Sequence, residues 1–358
     1  MDDMESMRKN DIIINNHSPR IIIFGSGTVG QATGEGLVNR GINDVLFVDT
    51  NPSVVKKLTS RGLTAILAED LKEIEDEHIC MFCLPTPVND ESGRIDLSHL
   101  SSALIQYAKF LRNGDKNNNF NLVVVRSSVP PGTTQNLLIP LLEMHSGMKA
   151  GLDFGICMQP EFLRSLSSEQ DFMNPRQIVI GEYDKKSGNA LERLYRSAGF
   201  AAPVVRVNLS TSEFIKYASN CFNATKISFA NEMWLLAEKL GIDSNFSLKI
   251  AADVAEGFWN PIYGTYGGRP FGGKCLPKDL RILLGFAQDV NTNMSILKAV
   301  SSVNSKMEEK EIAELKKIAE LNDARTDESE QTRKAKSRRP VSELELSANI
   351  VEDIDYPS

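Results

Sequence analysis

Between residues 20 and 207, short apolar runs alternate with longer stretches in which apolar residues recur at helical spacing. The runs at 20–24, 45–48, 79–84, 122–125, 154–158 and 178–180 are continuous rather than alternating. Continuous runs of that length suit strands covered on both faces. Amphipathic stretches at 29–40, 52–60, 97–111 and 133–145 fall between them, and 191–197 and a final run at 204–207 follow. This order predicts an α/β fold made of βαβ units around a parallel sheet. After 210 the pattern turns helical. Ser210 and Glu213 have the spacing of a capping box, in which a hydroxyl and a carboxylate satisfy two free N–H groups. The stretch 214–240 has helical apolar spacing without proline or glycine, and Gly241 supplies its stop. A further helix is predicted over 295–321.

These patterns divide the chain into four parts: a polar, disordered lead at 1–19, an α/β domain at 20–208, a mostly helical central domain at 209–307, and a helix end with a charged, disordered tail at 308–358. No glycine follows Gly285, so the last part lacks the tight turns a second nucleotide fold would use. The tail carries a basic cluster at 333–339 and then acidic residues, which makes it a candidate docking segment for a partner protein.

Composition narrows the functional classes. The chain has 358 residues and a net charge of −7, with 24% charged and 41% hydrophobic residues, so it can bury two cores and is no general nucleic-acid binder. No apolar run is long enough to span a membrane, and the lead has no signal-peptide layout. Five scattered cysteines suggest reduced thiols and a cytoplasmic location.

Candidate chemistry begins at Gly25-Ser-Gly27-Thr28-Val29-Gly30, which follows the first strand and opens the first helix. Gly25 permits the tight turn, Gly27 lets backbone approach a pyrophosphate, and Gly30 allows close helix packing. Thr28 and Val29 begin a helix whose free N–H groups attract phosphate. Asp49 ends the next strand, where an acid accepts from a ribose 2′-hydroxyl and repels a 2′-phosphate. The turn, the helix and the acid together predict a Rossmann-type domain that binds NAD in preference to NADP. Cys80 and Cys83 have CxxC spacing but lie in an apolar strand without companion ligands, so they read as buried thiols and no metal site is expected.

Cys275 stands in Phe271-Gly-Gly-Lys-Cys275-Leu-Pro-Lys-Asp279, with backbone bared by two glycines and two lysines nearby. A nucleophilic thiol beside a nicotinamide suits aldehyde oxidation through a thiohemiacetal and a thioester. A glycine turn with an incidental thiol is the alternative. Lys216 and Asn220 share a helix face and can polarise an oxygen, although spacing alone does not separate them from an exposed pair. Glu161 follows a strand end, where ligands gather in open α/β sheets.

Taken together, these segments resemble the UDP-glucose/GDP-mannose dehydrogenase family over about residues 20–307. The matching segments are the glycine turn with Asp49, Leu84-Pro-Thr86-Pro87, Ser127-Ser-Val-Pro130, Gln159-Pro-Glu161-Phe-Leu163, Lys216 with Asn220, and the Cys275 loop. The resemblance implies oxidation of the C6 alcohol of a nucleotide sugar to a carboxylate with two NAD, in a homodimer joined through the 211–240 helix. It also implies that Cys275 is the nucleophile, that Asp279 helps activate the hydrolytic water, that Lys216 and Asn220 hold the C6 oxygen, and that Glu161 assists proton transfer or positions water. Thr86 and Ser128 would line the cofactor site.

Three departures qualify the resemblance. Ser165 stands where the family often has glutamate, Arg269 falls in a segment that matches only loosely, and the glycine-free C-terminus does not match the family's third, nucleotide-binding domain. Low turnover of the chain alone is therefore expected. Two alternatives stay open: a 3-hydroxyacid-type dehydrogenase, which needs no nucleophilic cysteine, and an NAD-binding scaffold without turnover.

Overall fold

The computed structural model describes residues 19–74, 77–114 and 120–336. The lead, apart from its last residue, lies outside these, as do most of the 113–119 loop and the end of the tail. The chain divides into two compact units at Asn223 and Ala224.

In the first unit, β1 (Arg20–Phe24), α1 (Thr28–Asn39), β2 (Val45–Asp49), α2 (Pro52–Ser60) and β3 (Thr64–Leu67) build one half of a sheet. The other half comprises β4 (His78–Phe82), α3 (Ser98–Gly114), β5 (Asn121–Val125), α4 (Ile139–Ser146), β6 (Phe154–Met158), α5 (Ser168–Met173), β7 (Ile178–Glu182), α6 (Lys185–Ser197) and β8 (Val204–Asn208). The eight strands are ordered β3-β2-β1-β4-β5-β6-β7-β8. The chain therefore moves outward from β1 and then restarts on its other side at β4. Such a reversal opens a crevice at the carboxyl ends of the two central strands. Side-chain alternation sends Ile22 and Phe24 into one core layer and Ile21 and Ile23 into the other. In the first layer Phe24 stacks on Phe82 at 5.0 Å, with Tyr107 edge-on to both rings.

The sheet departs from the all-parallel expectation at one place, since β6 and β7 pair antiparallel, with Cys157 opposite Glu182 and Met158 opposite Gly181. A continuous apolar run marks burial and carries no sign of strand direction. The pattern also overlooks β3, a four-residue edge strand in which only Ala65 is fully buried.

Helix α7 (Leu209–Leu240) crosses the unit boundary and ends at Gly241, whose φ is +65. The expected capping box is not formed. Asn208 Oδ1 accepts from the Thr211 N–H at 2.8 Å instead. Glu213, fully buried, accepts from the backbone N–H groups of Gly132 and Thr134. A loop with unpaired buried donors competes successfully for that carboxylate, because leaving such donors bare is costly.

The second unit contains α8 (Ser244–Val254), α9 (Glu256–Trp259), α10 (Leu276–Asp289) and α11 (Ser295–Lys336). Its small core joins Leu236, Ala287, Met294 and Leu297. Glu232 of α7 caps α11 by accepting from Ile296 N–H at 2.7 Å and Leu297 N–H at 3.0 Å. Helix α11 runs to Lys336, past the expected end at 321, and the remainder of the expected tail lies outside the described residues. Its later turns are rich in Glu, Lys and Ala and free of Gly and Pro, so helix propensity carries it onward. No helix among the described residues is long and apolar enough to cross a membrane.

Candidate active site

The crevice at the carboxyl ends of β1, its neighbour β2 and β4 is a cavity of about 580 Å³, lined by Gly25, Gly27, Thr28, Val29, Asp49 and Leu84 among others. Gly25 has φ +85, a region that side-chain-bearing residues rarely enter. A Cβ on Gly30 would lie 1.9 Å from the Gly25 carbonyl oxygen, so only glycine lets α1 start this close to the turn. At Gly27 a Cβ would meet nothing within 4 Å, and the position faces open space that a phosphate can fill. Gly27 caps α1 without any side-chain hydrogen bond, which leaves the first N–H groups of the helix free. Ser26 is fully buried and its hydroxyl has no partner.

Asp49 holds the turn while facing the cavity. Its Oδ2 accepts from Ser26 N–H at 2.7 Å and its Oδ1 from Asn51 N–H at 2.8 Å. An ionised carboxylate has about four acceptor positions, so capacity for a ribose hydroxyl is left over. The bare helix start and the acid fit a dinucleotide. Because Asp49 repels a 2′-phosphate, NADP is expected to bind at least tenfold more weakly than NAD. Titration of the protein with each dinucleotide checks this, and equal or tighter NADP binding would contradict it.

Thr86 and Ser128, expected at the cofactor, are joined to each other, as Thr86 Oγ1 donates to the Ser128 carbonyl at 2.9 Å, but neither is among the residues that line this cavity. Ser127 ties the same loops, accepting from Leu84 N–H at 2.9 Å and donating to Leu84 O at 2.8 Å. One wall of the cavity, formed by His99, Ser102, Ala103 and Gln106, was not foreseen.

Glu161 and Lys216, 55 positions apart, meet in a nearly buried pair. Lys216 Nζ donates to Glu161 Oε1 at 2.7 Å and to the Glu161 carbonyl at 2.6 Å. The side chains are 13% and 7% exposed, so little solvent screens the pair. Glu161 Oε2 accepts from Leu163 N–H at 2.7 Å, which fixes the carboxylate from its other side. Two of the three ammonium donors are thus used, and one is free for a ligand oxygen. Asn220 lies one turn further along α7 and is exposed.

The segment holding Glu161 is clamped by a residue the sequence did not single out. Arg126, 4% exposed, donates to Gln159 Oε1 and to Tyr195 Oη at 3.2 Å. Tyr195 in turn donates to Gln159 Oε1 at 2.9 Å. Burial pushes the neighbouring Cys83 thiol up to about 11 despite the opposing Arg126 charge. Cys80 is also pushed well above the usual thiol range by burial. Both thiols are therefore protonated at neutral pH, as buried, unreactive cysteines are.

In the second unit Cys275 is exposed and occupies the N-cap position of α10, with Asp279 in the first turn. Asp279 N–H donates to the Cys275 carbonyl at 2.8 Å. Lys278, expected near the sulfur, pairs with Asp279 Oδ1 at 3.2 Å. Free N–H groups at a helix start suit an oxygen that becomes negatively charged.

Comparison with known proteins identifies the family of both segments. Residues 19–199 match the NAD binding domain of the UDP-glucose/GDP-mannose dehydrogenase family, and residues 210–306 match its central domain. GDP-mannose 6-dehydrogenase of Pseudomonas syringae pv. tomato is 34% identical over 311 residues, covering 80% of this chain and 68% of that protein. UDP-glucose 6-dehydrogenase of Haloferax volcanii is 31% identical over 324 residues, covering 85% and 73%. The crystal structure of a ternary complex of GDP-mannose dehydrogenase from Pseudomonas aeruginosa is similar with a TM-score of 0.72 and 31% identity, over 80% of this chain and 69% of that one. The cofactor of the first unit is NAD, and the chain belongs to the UDP-glucose/GDP-mannose dehydrogenase family.

Proposed function

We propose that this protein oxidises the C6 alcohol of a nucleotide sugar, GDP-mannose or UDP-glucose, to the uronate. The observation that carries the reading is the Lys216–Glu161 pair, held almost out of water with one ammonium donor free. Bound NAD supplies the hydride acceptor for each of two oxidations. Lys216 and Asn220 hold the C6 oxygen, and Lys216 stabilises negative charge on it. Glu161, joined to the ammonium, takes part in moving the hydroxyl proton or in placing water.

The thiolate of Cys275 adds to the C6 aldehyde, and the new oxyanion is that of a thiohemiacetal. Loss of hydride from that carbon yields a thioester. Water then attacks the thioester carbonyl with help from Asp279, and the C–S bond breaks to release the carboxylate and the thiol. Covalent capture keeps the aldehyde from escaping between the two oxidations. A 3-hydroxyacid-type dehydrogenase would give no work to a thiol so placed. NADH formation by the purified chain with GDP-mannose and with UDP-glucose tests the reading, and no NADH from either sugar nucleotide would count against it.

The second unit exposes many large apolar groups, including Ile227, Trp234 and Leu235 on α7 and Phe246, Ile250 and Val254 on α8. Such a concentration favours the expected homodimer. Light scattering at micromolar concentration is expected to give twice the chain mass, and a monomer would rule the dimer out.

A further inference from the structure

The loop that presents Cys275 is built to be mobile unless something holds it. Gly272 and Gly273 are exposed, and Gly273 has φ +79. Among the described residues, Gly272, Gly273 and Lys274 make no hydrogen bond. The hold comes one residue earlier, from α11. Asn304 Oδ1 accepts from the Phe271 N–H at 2.7 Å, and Asn304 Nδ2 donates to the Phe271 carbonyl at 3.1 Å. The same amide nitrogen donates to Glu308 Oε1 at 2.9 Å, which fixes its orientation. Asn304 is only 7% exposed, so water does not compete freely for these bonds.

A second tie, between Arg269 and Glu311 at 2.9 Å, lies at the surface, where an ion pair contributes little. A cavity of about 590 Å³ adjoins the clamp and is lined by Ser228, Arg269, Phe271, Val300 and Asn304. Packing alone therefore leaves the loop room to shift. A side-chain amide bonded to both backbone groups of one residue acts like a neighbouring strand and fixes translation and rotation together.

We infer that Asn304 is a positioning residue for the nucleophile: its two bonds to Phe271 set where the loop delivers the Cys275 sulfur. The inference rests on the role given to Cys275 above. A reacting atom displaced by about 1 Å can lose on the order of 10²-fold in rate, so a loop freed at Phe271 should turn over poorly while its thiol stays chemically intact.

The test uses the full chain and two variants. Asn304→Leu keeps the volume and removes both bonds, and Asn304→Asp keeps only the acceptor for the Phe271 N–H. With GDP-mannose and UDP-glucose as probes, kcat per folded protein is expected to fall roughly tenfold for Asn304→Asp and on the order of 10²-fold for Asn304→Leu. The KM for NAD should stay within about twofold, because the cavity at Gly25 and Asp49 belongs to the first unit and Asn304 to the second. Amide exchange in the 268–275 segment should accelerate in the same order. Faster exchange with unchanged kcat would overturn the inference, as would a lower melting temperature with unchanged kcat below it. An inactive wild-type chain would instead bring down the functional reading on which it stands.

Discussion

Cys275→Ala should abolish uronate formation and leave NAD binding unchanged. The thioester cannot form without the sulfur, so uronate production should fall by roughly 10³–10⁴-fold or more, the scale on which covalent catalysis depends on its nucleophile. The first oxidation needs only hydride loss and proton transfer, so a small amount of aldehyde and NADH can still appear. NAD affinity should hold because the cavity at Gly25 and Asp49 belongs to the first unit, whereas Cys275 belongs to the second. The checks are product analysis by mass spectrometry and NAD titration of the variant. Uronate at a near wild-type rate would make Cys275 an incidental thiol in a glycine turn.

Lys216→Met should harm both stability and turnover, by separable routes. Removing the ammonium leaves the Glu161 carboxylate, 13% exposed, without the cation that it meets at 2.7 Å. Breaking one side of such a buried pair costs about 3–5 kcal/mol. The lost donor to the C6 oxygen should lower kcat by about 10²–10³-fold, the usual effect of deleting one group that stabilises an oxyanion. Adding Glu161→Gln neutralises the stranded carboxylate, so the double variant should regain much of the stability and none of the turnover. Urea denaturation and kcat measured on the folded fraction separate the two effects. If the double variant recovered turnover along with stability, Lys216 would be a structural residue only.

Much of the first unit was legible because its signals are local. The run 20–24, the glycine turn and Asp49 lie within 30 positions, and Gly25 and Gly30 each have a steric reason that any backbone of this type imposes. Phe154–Met158 could be read to the residue because a run buried on both faces has sharp ends. The antiparallel β6–β7 pair was not legible, since burial alone gives no direction. Glu213 was misread as a cap for its own helix because its true partners, Gly132 and Thr134, are about 80 positions away and offer only backbone donors. Arg126 and Asn304 were missed for a similar reason. One grips a glutamine and a tyrosine, the other a backbone amide and carbonyl, and neither contact has a sequence spacing to reveal it. The Lys216–Glu161 pair was the opposite case. Each residue was named separately from its own neighbourhood, and the fold joined them.

The central claim is a four-electron oxidation that passes through a thioester on Cys275. The ratio of NADH formed to uronate formed, measured on the purified chain with GDP-mannose and UDP-glucose in parallel, tests it most directly. Two hydrides leave C6 on the way from alcohol to carboxylate, so the account requires a ratio of two with no free aldehyde accumulating. One NADH per sugar nucleotide consumed, with the aldehyde released and no uronate formed, would contradict it and leave a simple alcohol dehydrogenase.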